Sequence, residues 1–101
     1  MYHIVWSFEV KPGSIEAFER AYGPAGDWAR LFRKAPGYKG TEVLQDVDTA
    51  GRYLTIDRWA SREDFWRLRE AFRAEYMALD ARCETLTRSE QFVGDFETKE
   101  S

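Results

Sequence analysis

The sequence predicts an α+β fold built in the order strand, helix, two strands, helix, strand. Three observations carry this. Residues 2–10, "YHIVWSFEV", alternate, with Tyr2, Ile4, Trp6, Phe8 and Val10 on one face and His3, Val5, Ser7 and Glu9 on the other. Two further strand-like runs flank the turn signal "DTAG" at 48–51. Then Phe65, Leu68, Phe72, Tyr76, Leu79, Cys83 and Leu86 recur at helical spacings of three and four. The order β-α-β-β-α-β is the ferredoxin-like arrangement, an antiparallel sheet with helices on one face.

Taken in order, "KPGS" at 11–14 closes the first strand, and Ser14 is placed to cap a helix carrying Ile15, Phe18 and Tyr22. "GPAG" at 23–26 breaks that helix, and a short second one follows with Trp28, Leu31 and Phe32. "APGYKG" at 35–40 reads as a Pro-Gly turn whose glycine takes positive φ. It feeds a strand over about 40–47, which pairs across the turn with a strand at 52–59. Ser61 caps the long helix, with Asp64 at the capping-box position. An unbroken helix from there to Leu86 is long for so small a domain, so a bend or break is expected near Ala71–Ala74. The last strand, about 88–96, carries Phe92 and Phe96. One domain is expected over 1–97, with a frayed tail at 98–101.

Composition narrows the function classes. Hydrophobic residues at 44% suffice for a globular core. Aromatic residues at 16% exceed what one small core needs, which points to a pocket or an interface as well. The net charge is −3 with acids and bases interspersed, so no nucleic-acid partner is expected. No apolar run is long enough to span a membrane, and "MYHIVWSFEV" lacks the charged start of a signal peptide. Cys83 is the single cysteine and His3 the single histidine, so neither an internal disulfide nor a metal cluster is expected. A reducing, cytoplasmic location fits. Cys83 reads as a small buried hydrophobe. "GPAG" lacks the Lys and hydroxyl of a phosphate-binding loop. The strands carry apolar side chains on both faces: Leu54 and Ile56 oppose Tyr53 and Trp59, and Val5 opposes the Tyr2–Val10 stripe. A second copy related by a two-fold axis would cover the outer face, so a homodimer through the sheet is expected.

Four stretches, "VKPGSIEAF", "APGYKGTEVL", "RYLTIDRWASREDF" and "LTRSEQFVGDF", resemble the antibiotic biosynthesis monooxygenase superfamily of dimeric α+β barrel proteins. The resemblance covers residues 3–96. It implies a dimer whose sheets pack face to face, with a pocket between sheet and helices in each subunit. Some members oxygenate anthrones or hydroquinones with neither metal nor flavin, so no cofactor is expected. Other members degrade haem. These place an Asn on the first strand, at the position that aligns with Trp6, and a Trp and a His on the long helix. This chain contains no Asn, and His3 lies outside that helix. Trp6 would partly fill the cavity, and haem degradation is not expected. Many quinol-oxidising relatives carry a helix His near the position of Leu68, and Leu cannot move a proton.

Asp57 is the candidate general base, since burial among aromatics raises a carboxylate toward the range useful for proton abstraction. The alternative is an ion pair with Arg52 or Arg58, or a place in the dimer interface. Tyr76 is the candidate oxyanion donor, or else a core tyrosine with a satisfied hydroxyl. Trp6, Trp59, Trp66 and Phe72 are candidate walls for a small aromatic ligand. Trp59 reads alternatively as the packing anchor of the strand–helix corner, and Trp66 lies beside the apolar stripe. His3 titrates near neutrality when unperturbed but sits near the terminus. Two functions remain open at this point: a cofactor-independent monooxygenase acting on a phenolic, anthrone or hydroquinone substrate, and a non-catalytic dimeric binding or regulatory module with the same pocket.

Overall fold

A computed structural model describes residues 1–100. Four strands, β1 (Tyr2–Val10), β2 (Tyr38–Gln45), β3 (Arg52–Trp59) and β4 (Thr87–Glu97), form one antiparallel sheet in the order β2-β3-β1-β4. Four helices, α1 (Ile15–Tyr22), α2 (Asp27–Phe32), α3 (Arg62–Ala71) and α4 (Arg73–Cys83), lie on one face. This is the ferredoxin-like α+β fold, with β1 and β3 central and β2 and β4 at the edges.

Strand alternation decides what each face holds. Tyr2, Ile4, Phe8 and Val10 of β1 and Tyr53, Thr55 and Trp59 of β3 are buried against the helices. Cross-strand pairing aligns Tyr2 with Trp59, Ile4 with Asp57, Trp6 with Thr55 and Phe8 with Tyr53. Rings fill this layer: Phe18 stacks on Tyr22 at 4.5 Å and lies 5.1 Å from Tyr53. Trp59 is fully buried, with the rings of Phe32 and Tyr38 each at 5.3 Å and Phe65 at 5.7 Å. The outer face carries Val5, Leu54 and Ile56, with Leu44 and Phe96 substantially exposed beside them.

The helix after β3 is interrupted at Phe72, whose backbone (φ −118°, ψ 36°) leaves the helical region, and α4 starts at the next residue. Ser61 accepts the Asp64 amide at 3.2 Å and so caps α3. The Asp64 carboxylate instead takes Arg67, at 2.6 Å. Ser14 differs from expectation: residues Pro12–Ser14 form a single 3₁₀ turn that runs into α1, and the Ser14 side chain makes no capping bond. At the other end Thr98, assigned to the frayed tail, donates its amide to the Met1 carbonyl at 3.0 Å. The β2–β3 turn is held by Asp46, whose Oδ1 accepts the amides of Asp48 and Thr49 at 2.8 and 2.9 Å.

The turn into β2 needs its glycine. Gly37 has φ +94°, and its carbonyl accepts the Ala60 amide at 2.7 Å, which ties the turn to the end of β3. A Cβ there would run into the Asp64 carboxylate. Gly37→Ala is therefore expected to destabilise the fold by about 1–3 kcal/mol from backbone strain alone. In a domain of this size that lowers the thermal midpoint by about 5 °C or more. Thermal unfolding followed by circular dichroism checks it, and an unchanged midpoint would remove the turn from the features that hold β2 in place.

Candidate active site

Between the inner face of the sheet and the helices lies a cleft with about 70 Å³ of free internal volume, opening into a mouth that brings the unoccupied space to about 580 Å³. Its walls are aromatic. Trp6 and Phe8 come from β1, Trp28 and Phe32 from α2, Phe65 from α3 and Tyr76 from α4. Its polar groups are few: Thr55 and Asp57 on β3, Tyr22 on α1, Asp80 on α4 and Glu90 on β4.

Asp57 reaches this cleft because it shares the inner-facing parity of Tyr53, Thr55 and Trp59. Its Oδ1 accepts the Thr41 hydroxyl at 2.6 Å, and among the described residues no donor reaches Oδ2. Burial pushes its pKa from the ordinary 3.8 up to about 6, and the Thr41 hydrogen bond pulls in the opposite direction. The ion pair weighed from the sequence is absent. Arg52 pairs with Asp46 at 2.9 Å, and Arg58 with Glu42 at 3.1 Å. The reason is strand parity: residues 52 and 58 point to the face opposite Asp57. The same parity keeps Asp57 away from the open outer face where a second copy would pack.

Tyr76 lines the same cleft, its ring 5.0 Å from Trp28 and edge-on to it. No described residue hydrogen-bonds its hydroxyl. Burial raises its pKa and the carboxylates nearby add to the effect, while Arg69 opposes it. The phenol thus stays a proton donor at neutral pH. Glu90 is also raised, first by burial and then by the charges of Asp80 and Glu84.

Of the residues singled out from the sequence, Asp57, Tyr76 and Trp6 line the cleft together. Trp59, Trp66 and Phe72 do not. Trp59 is enclosed in the core two residues along β3 from Asp57. Trp66 is half exposed on the outer side of α3, where the Arg69 guanidinium lies 5.2 Å from its ring and 5.1 Å from that of Tyr76. Phe72 sits at the helix break, beside a separate pocket that it lines with Ala35, Pro36 and Leu68, and the Lys34 ammonium lies 5.6 Å from its ring. His3 is at the sheet end, bonded to Thr98 at 2.8 Å. Thr41 was missed: reflection across "DTAG" at 48–51 sets it opposite Arg58, and the observed register, one residue away from that, sets it opposite Asp57. Trp28, Phe32 and Phe65 were placed by spacing on helix faces and given no part in the site. Among the described residues no three His, Cys, Asp or Glu side chains converge to hold a metal ion.

The family profile for antibiotic biosynthesis monooxygenase matches residues 1–75. The chain belongs to this family. Solved structures agree on the fold. A variant of SnoaB, a cofactor-independent oxygenase from Streptomyces nogalater, superposes with a TM-score of 0.73 at 24% identity, covering 99% of this chain and 94% of that one. Rv0793 from Mycobacterium tuberculosis gives 0.74 at 15% identity, covering 99% and 96%. A Nitrosomonas europaea protein bearing the family's name gives 0.73 at 21% identity, covering 97% and 98%. No curated protein matches the chain. No helix among the described residues is long and apolar enough to cross a membrane.

Asp57 makes a signed prediction about stability. Its pKa is higher folded (about 6) than its ordinary value of 3.8, so the folded chain binds the proton more tightly. Its carboxylate therefore costs nothing below about pH 4, and the cost grows as pH rises through 6. With allowance for partial solvent access, the full cost is about 1–3 kcal/mol. Asp57→Asn should be more stable than the parent at pH 8 by that amount, with the gain fading toward pH 4. Urea unfolding at pH 4, 6 and 8 measures it. A variant less stable at pH 8 would mean that the carboxylate has a cationic partner after all.

Proposed function

We propose that this family member is a cofactor-independent monooxygenase that oxidises a small phenolic, anthrone or hydroquinone substrate in the cleft. The observation that carries the reading is the pairing of a desolvated carboxylate, its Oδ2 free of donors, with a free phenol hydroxyl in one aromatic-walled cleft. Family membership supports it, as does the fold shared with an oxygenase described as cofactor-independent.

In this reading Asp57 takes a proton from the substrate, and Tyr76 donates a hydrogen bond to the oxygen on which negative charge develops. The substrate anion passes one electron to O₂, and the radical pair joins through a new C–O bond. The proton held by Asp57 returns to the peroxide. Asp57 then removes the remaining C–H proton as the O–O bond breaks, giving the carbonyl of the quinone. The departing hydroxide takes that proton and leaves as water. One oxygen atom of O₂ enters the product and the other enters water. The aromatic walls exclude bulk water from the anion, and Trp6 sets the room left beside β1.

A homodimer in the cytoplasm completes the reading. Val5, Leu54, Ile56, Leu44 and Phe96 on the outer sheet face form an apolar surface that a second copy would cover. Light scattering at micromolar concentration is expected to give twice the 11.9 kDa chain mass. A stable monomer would remove the dimer from the proposal.

For the chemistry, purified protein should consume O₂ with members of an anthrone and hydroquinone panel faster than their own autoxidation. Asp57→Asn should lower that rate by about 10²-fold or more, the usual scale for a general base. Tyr76→Phe, which removes one donor, should cost less. The rate should fall as pH drops through about 6, where Asp57 becomes protonated. O₂ traces matching the protein-free control across the panel would leave the alternative, a binding module with the same cleft.

A further inference from the structure

The cleft does not by itself explain how Asp57 is held. The carboxylate sits on a strand between Ile56 and Arg58, with an exposed cleft on one side and the β2 edge on the other. What reaches it from β2 is a chain of two hydroxyls. Thr41, buried and directly opposite Asp57 in the β2–β3 pairing, donates to Oδ1 at 2.6 Å. Thr41 has one hydroxyl proton, and that proton is spent on Asp57, so the hydrogen bond between Tyr38 and Thr41 must run from the Tyr38 hydroxyl to Thr41 Oγ1. Tyr38 is fixed in turn by its ring, 5.3 Å from Trp59 and 5.4 Å from Phe32.

We propose that Thr41, oriented by Tyr38, is the positioning residue for Asp57: it ties down Oδ1, holds the carboxylate in its ionised form and leaves Oδ2 as the atom that meets substrate. The inference rests on the reading of Asp57 as the base, and neither Thr41 nor Tyr38 touches the substrate.

The geometry makes this more than packing. A threonine whose only role was to fill space on β2 would have no reason to aim its proton at the one carboxylate on the inner face of β3. A hydrogen bond given to the charged form stabilises that form, and Thr41 is the single donor to Asp57 among the described residues. The other groups facing the cleft act against ionisation or leave it alone. Glu90 from β4 and Asp80 from α4 are acidic; Tyr22 from α1 and Tyr76 from α4 are phenols kept protonated. The residues from α2 and α3 do not titrate: Trp28, Phe32 and Phe65. The two arginines nearest in sequence are turned away to Asp46 and Glu42. Without Thr41, nothing among the described residues would offset the burial of this carboxylate.

The test reads Asp57 itself. A ¹³C carboxyl titration by NMR, with the Asp57 signal assigned by its loss in Asp57→Asn, should give a midpoint near 6 for the parent. Thr41→Val keeps the shape and removes the donor, so the midpoint should rise by about one pH unit. Thr41→Ser retains a hydroxyl and should stay close to the parent. Tyr38→Phe keeps the ring packing and frees the Thr41 hydroxyl to turn, so it should raise the midpoint by a smaller amount. It also keeps the test available if Thr41→Val folds poorly. Midpoints that coincide across parent, Thr41→Val and Tyr38→Phe would overturn the proposal, even with a loss of thermal stability. The acid limb of O₂ consumption separates this inference from the one beneath it. An NMR midpoint and an acid limb that move together support both. A moved midpoint in a protein that consumes no O₂ upholds the Thr41 assignment and overturns the monooxygenase reading. An unmoved midpoint in an active enzyme overturns the Thr41 assignment alone.

Discussion

The Trp59 ring joins the segments that make the cleft possible. It is the last residue of β3, it is wholly enclosed, and it touches Phe32 of α2, Tyr38 of β2 and Phe65 of α3. Segments that lie on either side of the β2–β3 turn are thereby held at fixed positions around one side chain. A large aromatic buried to this extent contributes about 3 kcal/mol or more relative to a truncated residue, because its removal leaves a cavity its rigid neighbours cannot close. The dependence runs further. Tyr38 is set by Trp59, Thr41 by the Tyr38 hydroxyl, and the Asp57 carboxylate by Thr41. A packing contact in the driest part of the core therefore ends as the orientation of the most perturbed carboxylate in the cleft.

Electrostatics in that cleft run against anions. Asp57, Asp80 and Glu90 line it, and among the described residues no lysine, arginine or histidine does. A site of this kind repels an anionic ligand at its mouth. It does not oppose the deprotonation of a neutral one. Under the proposed reaction, a proton taken by Asp57 from a phenol or an activated methylene would remove one negative charge from the carboxylate as one appeared on the substrate, and the total would be unchanged. The new anion would then lie beside a neutral carboxyl group and the protonated Tyr76, both able to donate hydrogen bonds. The raised pKa of Asp57 narrows the gap between base and substrate, which is the direction general-base chemistry at neutral pH requires.

Much of the fold is legible in the sequence because strand parity is a strong signal. The alternation of residues 2–10 and of "RYLTIDRW" settles which side chains face the helices, and both strands occur with those bounds. Parity also settles the pairing of Asp57: Arg52 and Arg58 are separated from it by odd numbers of residues, so alternation alone turns them to the other face. Other features depend on contacts that spacing does not encode. β4 carries an extra residue between the partners of Val5 and Trp6, and this bulge brings Phe92 to the Trp6 ring at 5.3 Å. The register of β2 shifts between Tyr38 and Gly40, so Tyr38, outside the expected strand, pairs with Trp59. Trp66 looked like a wall because it is aromatic and close to the stripe, but a helix position one residue off the buried line faces out. Ser14 had the right type for a cap, yet the preceding Pro-Gly pair makes a 3₁₀ turn that carries Ser14 past the capping geometry.

Leu68 shows where the chemistry has room to differ within a shared fold. It stands near the helix position at which, by the resemblance, many quinol-oxidising relatives carry a histidine, and it is 1% exposed, packed into the core beneath α3. It does not line the cleft. An imidazole at such a site would need a hydrogen-bonding partner or would lose its charged form to desolvation. The candidate base of the cleft stands instead on the sheet, at Asp57, where a neighbouring strand can reach it with a hydroxyl. A sheet position offers what a helix position over this core does not: a side chain directly opposite, at a spacing set by the backbone ladder, on which a donor can be placed by changing one residue. The carboxylate and its Thr41 partner are thus a local solution written on two paired positions, compatible with a framework whose remaining contacts are aromatic packing.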